Sequence, residues 1–141
     1  MKPEVNFFKE DVQFRLIDKE AVSSWVAYCI KKHHKKPGTL NFIFCSDGFL
    51  YSMNIKYLNH KTLTDIITFD YSEKSIISGD IFISIDRVRE NAKLLKNSIK
   101  DELHRVMIHG VLHLCGYSDK KPADKEKMTK AENKYLSLRT F

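Results

Sequence analysis

Residues 109–113, His-Gly-Val-Leu-His, set two histidines four apart inside an otherwise apolar run, Val106-Met107-Ile108 before them and Leu114-Cys115 after them. On a helix both rings share one face, and their apolar neighbours mark that helix as buried. A buried imidazole without a partner costs several kcal/mol, roughly 2–7 on transfer scales. The chain is therefore restricted to folds that bring a matching group to this face. Gly116 stops the helix, as glycine does where the backbone turns left-handed. Asp119 follows three residues later, where a chain folded back on itself presents a carboxylate to the same rings. Two imidazoles and a carboxylate with an open fourth position make a catalytic metal site. Asp124 is a rival ligand but better suits the first turn of the next helix. Cys115, two residues past His113, points off the metal-facing side and reads as core.

Around this helix the sequence alternates strands and helices, then turns helical. Val5–Phe8 reads as a first strand. Asp18 reads as the cap of a helix whose stripe is Ala21, Val22, Trp25, Val26, Cys29 and Ile30. That helix runs into Lys31-Lys-His-His-Lys-Lys36, and Pro37-Gly38 is expected to end it. Thr39–Cys45 is a strand, and Ser46-Asp47 caps a helix with Leu50 and Leu58 on its buried side. Asp65–Tyr71 and Asp80–Ile85 are two more strands about a polar loop from Ser72 to Gly79, and Asp86 opens a helix to about Lys96. Ser98 with Asp101 resembles a capping box for the histidine helix. Pro122 starts a last, charged helix toward Leu138. The expected fold is α+β: a single domain over residues 1–141, with one mixed four-stranded sheet packed by about five helices.

Several function classes are excluded or disfavoured. No stretch approaches the ~20 apolar residues of a membrane span, and the N-terminal residues lack the apolar core and cleavage site of a signal peptide, so a cytoplasmic protein is expected. Three scattered cysteines, Cys29, Cys45 and Cys115, outline no disulfide framework. A formal net charge of +6 favours polyanionic partners. In zinc peptidases of the His-Glu-x-x-His type a glutamate follows the first histidine; here that position is Gly110, which argues against a peptidase.

The motifs around the histidines resemble the signature of the YbeY family of bacterial rRNA maturation factors. His109, Gly110, Leu112, His113, Leu114, Gly116 and Tyr117 match its His-Gly-x-Leu-His-Leu-x-Gly-Tyr-Asp-His pattern. Asp119 occupies the place of the third ligand histidine, and Ser118 replaces the family's acid. Upstream, Asn54-x-x-Tyr57, Thr64-Asp65-Ile-Ile-Thr-Phe69 and Gly79-Asp80-Ile81 resemble further family segments in the same order. The resemblance implies a zinc-dependent, single-strand-specific endoribonuclease acting in 3′-end maturation of small-subunit (16S) rRNA and in ribosome quality control. Its implied partners are single-stranded RNA, rRNA and the ribosome. It departs from the family at Leu58, where the family has arginine, and at Leu63, where it has proline. The alternative function is a non-catalytic, RNA-binding assembly factor with a structural metal.

From these readings His109, His113 and Asp119 are the expected metal ligands, one Zn²⁺ per chain, on a zincin-like histidine helix. A carboxylate in place of a third imidazole lowers the charge of a zinc centre from about +2 to about +1. It also makes the site more tolerant of Mn²⁺ or another divalent ion. The metal is expected to polarise a phosphoryl oxygen or activate a water for attack on a phosphodiester, with no general base legible. Cleft or RNA-binding candidates are Arg105, one turn before His109, with Lys56, His60, Lys61, Asn54 and Tyr57. The lysines of the 31–36 run and Lys120-Lys121 are weaker candidates, since lysines at a helix C-terminus also complement its dipole. Asp65 is the expected outer-layer residue orienting a ligand histidine.

Overall fold

Helix α4 (Ile99–Leu114) is buried along most of its length and lies at the centre of the molecule, packed against strands and three other helices. The computed structural model describes residues 4–59 and 64–141. In chain order the described elements are β1 (Glu4–Glu10), α1 (Lys19–Lys32), β2 (Lys36–Cys45), α2 (Asp47–Leu58), β3 (Ile66–Asp70), β4 (Ile76–Ser84), α3 (Ile85–Leu95), α4 and α5 (Pro122–Ser137). The strands form one sheet in the order β1-β2-β4-β3. β1 and β4 run parallel to β2, while β3 is antiparallel to β4, so the sheet is mixed as expected.

Alternation along the strands divides the interior in two. Leu40, Phe42 and Phe44 of β2 and Ile77, Ile81 and Ile83 of β4 face α1 and α4 in the main core. Cys45 and Ile67 point to the other face, where Leu50 of α2 covers them. α5 closes over α4 through Met128, Ala131 and Tyr135, and the Trp25 indole N–H donates to the Tyr135 carbonyl at 2.7 Å.

Both ends of α4 are built as its sequence requires. Ser98 Oγ accepts the Asp101 N–H at 3.0 Å. At the other end Tyr117 N–H reaches the Leu112 carbonyl and Gly116 N–H the His113 carbonyl, both at 3.0 Å, with Gly116 at φ 108°. That is a Schellman termination, and only glycine adopts its left-handed residue without strain. Ser46 caps α2 by accepting the Phe49 N–H at 3.1 Å.

Five local expectations are corrected. Asp18 precedes α1 but sits at φ 58° with no side-chain cap bond. Pro37-Gly38 lies inside β2 and does not end α1; the helix stops at His33 and His34, where His34 turns left-handed, and an irregularity in register between Pro37 and Leu40 absorbs the proline. β4 begins at Ile76, shortening the polar loop expected up to Gly79, and Ser84 rather than Asp86 caps α3. Leu58 is exposed, whereas Asn54 shares the buried side of α2 with Leu50.

Candidate metal centre

The i, i+4 spacing on α4 brings the His109 and His113 Nε2 atoms to 3.0 Å from one another. The Schellman turn then redirects the chain, and Asp119 Oδ2 stands 3.4 Å from His109 Nε2 and 3.3 Å from His113 Nε2. The two rings are about three-quarters buried and the carboxylate is more open. Among the described residues these three form the group of His, Cys, Asp and Glu side chains close enough to share one ion.

Their hydrogen bonds decide what the centre can hold. His113 Nδ1 lies 3.0 Å from the Tyr117 carbonyl, an acceptor, so Nδ1 carries the proton. His109 Nδ1 lies 2.6 Å from Glu132 Oε2 and donates to that carboxylate. In the neutral rings both Nε2 atoms are therefore lone-pair acceptors, turned toward each other and toward a carboxylate oxygen. Three acceptors at this separation repel unless a proton or a metal cation lies among them. A divalent ion with His and carboxylate ligands fits this donor set.

Glu132 is buried on α5 and is held in turn. Arg105 Nη1 donates to its Oε1 at 2.9 Å, while Arg105 Nη2 donates to Asn133 Oδ1 at 2.7 Å. The outer layer of the centre thus runs Arg105–Glu132–His109. Burial lowers the His109 pKa, but the hydrogen bond and charge of Glu132, with Asp119 and Asp65, outweigh it and hold the pKa above the ordinary histidine value. Asp65 is pushed up by burial, opposed by the positive ring of His109.

Other expected site residues fall in different places. The hydrogen-bonded orienting carboxylate is Glu132; Asp65 acts on His109 through charge and no bond between them is seen. Arg105 has both terminal guanidinium nitrogens engaged on α5, because its side of α4 faces Glu132 and Asn133. On α2, Asn54 is buried, while Tyr57 is exposed and packs edge-on against Phe69 at 5.9 Å. The Lys56 ammonium lies 5.2 Å from the Tyr57 ring centroid. His60, Lys61 and Leu63 lie outside the described residues. Asp124 stands outside the His109–His113–Asp119 cluster, in a cleft of about 280 Å³ lined also by Tyr117, Ser118 and Lys127. A Cβ at Gly110 would meet Ile66 Cδ1 at 2.9 Å, so the position of the peptidase glutamate faces packed core.

Glu132 was missed from sequence although a signal was there. Met128, Glu132 and Tyr135 fall at i, i+4, i+7, so the acid sits on the apolar stripe of an otherwise charged helix. A carboxylate on such a stripe needs a buried partner.

The family model and the sequence relatives agree on one family. The profile of the family described as Endoribonuclease YbeY matches residues 6–139. An Endoribonuclease YbeY of Cytophaga hutchinsonii is 52% identical, covering 100% of both chains. Another, from Parabacteroides distasonis, is 46% identical over 95% of this chain and 94% of its own. Among solved structures, the solution structure of TM1509 from Thermotoga maritima shares the fold, with a TM-score of 0.66 and 24% identity, covering 94% of this chain and 87% of that one.

Proposed function

This chain belongs to the YbeY endoribonuclease family, and from that premise we propose that it cuts single-stranded RNA at the His109–His113–Asp119 centre, with zinc as the resident ion. Three lone-pair acceptors converge on one point with both Nδ1 protons already committed, and that observation carries the reading. When bound, the ion supplies Lewis-acid chemistry for hydrolysis of a phosphodiester.

The chain's own residues do the rest. Glu132 and the Tyr117 carbonyl fix the tautomers of the two histidines, so their Nε2 atoms face the ion. Arg105 balances the charge of Glu132 and keeps it aimed at His109. At the end of α2, the exposed Tyr57 ring, steadied by Phe69, offers a surface for base stacking, and Lys56 offers a charge to a phosphate. Leu58 stands where the family has arginine, so the bidentate phosphate grip of a guanidinium is absent from that position. Residues 1–141 are read as one domain acting on the 3′ end of small-subunit rRNA, in the cytoplasm and in contact with the ribosome. No helix among the described residues is long and apolar enough to cross a membrane.

The test is cleavage of a labelled single-stranded RNA, with the same sequence as a duplex for comparison. Metal-dependent cutting of the single strand, abolished by chelation and by His113→Ala, is expected. Metal-loaded protein that binds the RNA without turnover would favour the assembly-factor alternative instead.

A further inference from the structure

Tyr117 has two tasks, and the second extends the site. Its carbonyl holds the metal-facing ring of His113, and its hydroxyl lies 3.0 Å from His33 Nε2 at the end of α1. His33 Nδ1 lies 2.7 Å from the Cys29 carbonyl and must carry the proton, so Nε2 accepts from the Tyr117 hydroxyl. The two rings meet edge to face at 5.3 Å, and the Tyr135 ring of α5 also packs against His33 at 5.7 Å. The ring of His33 thus ties the end of α1, the loop carrying Asp119 and α5 into one surface.

That surface is basic. Lys32, Lys35 and Lys36 come from the junction of α1 and β2, Lys121 from the metal-site loop, and Lys127 and Lys134 from α5. Among the described residues none of these six is ion-paired; the lysine that is, Lys130, pairs with Glu126. Lys127 lines the cleft beside Tyr117 and Ser118, and Lys35 and Lys134 lie near enough to the Cys115 and Cys29 thiols for their charges to act there. Acids on this side include Asp119 on the same loop, Asp124 in the adjoining cleft and Asp70 near Cys115. The dipole of α1 accounts for cations at its C-terminus. It cannot account for Lys121, which stands at the N-cap of α5 with no side-chain bond, at the positive end of that helix. Lysines without ion-pair partners beside a centre read as RNA-cleaving make a surface complementary to a polyanion.

We propose that single-stranded RNA held at the metal centre continues across Tyr117 onto this surface, its phosphates tracking the lysines at the α1–β2 junction and along α5. The proposal rests on the RNA-cleaving reading of the centre and adds the path of the strand. It makes binding depend on RNA length: a fragment filling only the metal centre misses these contacts, and a longer strand gains them. Each phosphate contact on a single strand adds about 0.7 to the slope of log affinity against log salt.

The experiment measures the affinity of metal-loaded protein for fluorescein-labelled single-stranded RNAs of increasing length, at several salt concentrations. The variants are Lys32→Gln/Lys35→Gln/Lys36→Gln and, as a control of equal charge removal on α3 and the start of α4, Lys93→Gln/Lys96→Gln/Lys100→Gln. Exposed lysines changed to glutamine leave the core intact, and metal content checks that both variants are folded. The proposal expects the first variant alone to lose the gain with length, its salt slope falling by roughly 2 for three contacts. Wild-type cleavage with the same slope in the first variant as in the wild type overturns the path and leaves the metal-centre reading standing. A matching loss in the control also overturns it, by assigning the effect to net charge. Absence of any RNA binding by the wild type overturns both.

Discussion

Replacing Glu132 by alanine removes the group that turns His109 toward the ion, while leaving all three proposed ligands in place. The contact is 2.6 Å from carboxylate to imidazole N–H, in the range of charge-assisted bonds, and Glu132 is nine-tenths buried. Without it the ring is free to rotate or to take the other tautomer, and the carboxylate no longer raises the basicity of Nε2. Loss of such outer-layer partners weakens metal affinity by about 10–100-fold, equivalent to roughly 1.4–2.8 kcal/mol. Glu132→Gln keeps an acceptor without the charge and belongs at the low end of that range, with Glu132→Ala at the high end. Arg105→Ala strands the buried carboxylate but leaves its bond to His109, so its effect on metal affinity should be smaller than either. The assay is a competition titration of zinc against a chromophoric chelator, with urea unfolding of the metal-free proteins to separate fold from site. Nitrogen chemical shifts of His109 should report the proton on Nδ1 in the wild type and a mixture of tautomers in Glu132→Ala. Metal affinity within twofold of wild type in a folded Glu132→Ala protein would refute the reasoning.

Three further outcomes are expected. Burial, with the charges of Arg139 and Lys100, lowers the His104 pKa to about 4, so the ring is neutral in the fold and accepts from Arg139 at 2.8 Å. An unfolded histidine takes up its proton near 6.5, so this stabilisation is complete above that pH and is lost as pH falls from 6.5 through 4. The loss is on the order of 3 kcal/mol; urea midpoints at pH 7 and pH 4.5 should show it, and His104→Asn should flatten the difference. Burial pushes the Cys45 thiol up to about 12 and Cys115 up to about 11, and raises Cys29 as well. At pH 8 the native protein should therefore react with a thiol reagent on the order of a hundredfold more slowly than the denatured chain; rapid modification of all three in the native state would contradict the packing. Asp119→His should keep the ion and shift preference from Mn²⁺ toward Zn²⁺, since an imidazole is the softer ligand; competition between the two metals measures it.

The clustering of His109, His113 and Asp119 was legible because the three lie within eleven residues of one another, on a helix whose period and glycine stop are written locally. The Ser46 and Ser98 caps and the mixed sheet were legible for the same reason: each depends on neighbours in sequence. Glu132 was not, because its partner His109 is 23 positions away and the contact exists only once α5 has docked on α4. The same distance hid the engagement of Arg105 on α5, which sequence spacing alone turned toward the cleft. The place of Asp65 at a strand start points to it as the orienting acid, and it lies near enough for its charge to act on His109, but the hydrogen bond is made by Glu132 on the facing helix. Pro37-Gly38 reads as a stop by composition, yet a strand irregularity accommodates it inside β2.

The central claim is that His109, His113 and Asp119 hold a metal that RNA cleavage requires. Elemental analysis of tag-free protein beside His113→Ala and Asp119→Ala, with single-stranded RNA cleavage on the same samples, tests it most directly. The account predicts near-stoichiometric zinc and cleavage in the wild type, with both lost together in the variants. Wild-type protein that stays empty when zinc is supplied, or that cuts RNA equally well after chelation, would contradict it.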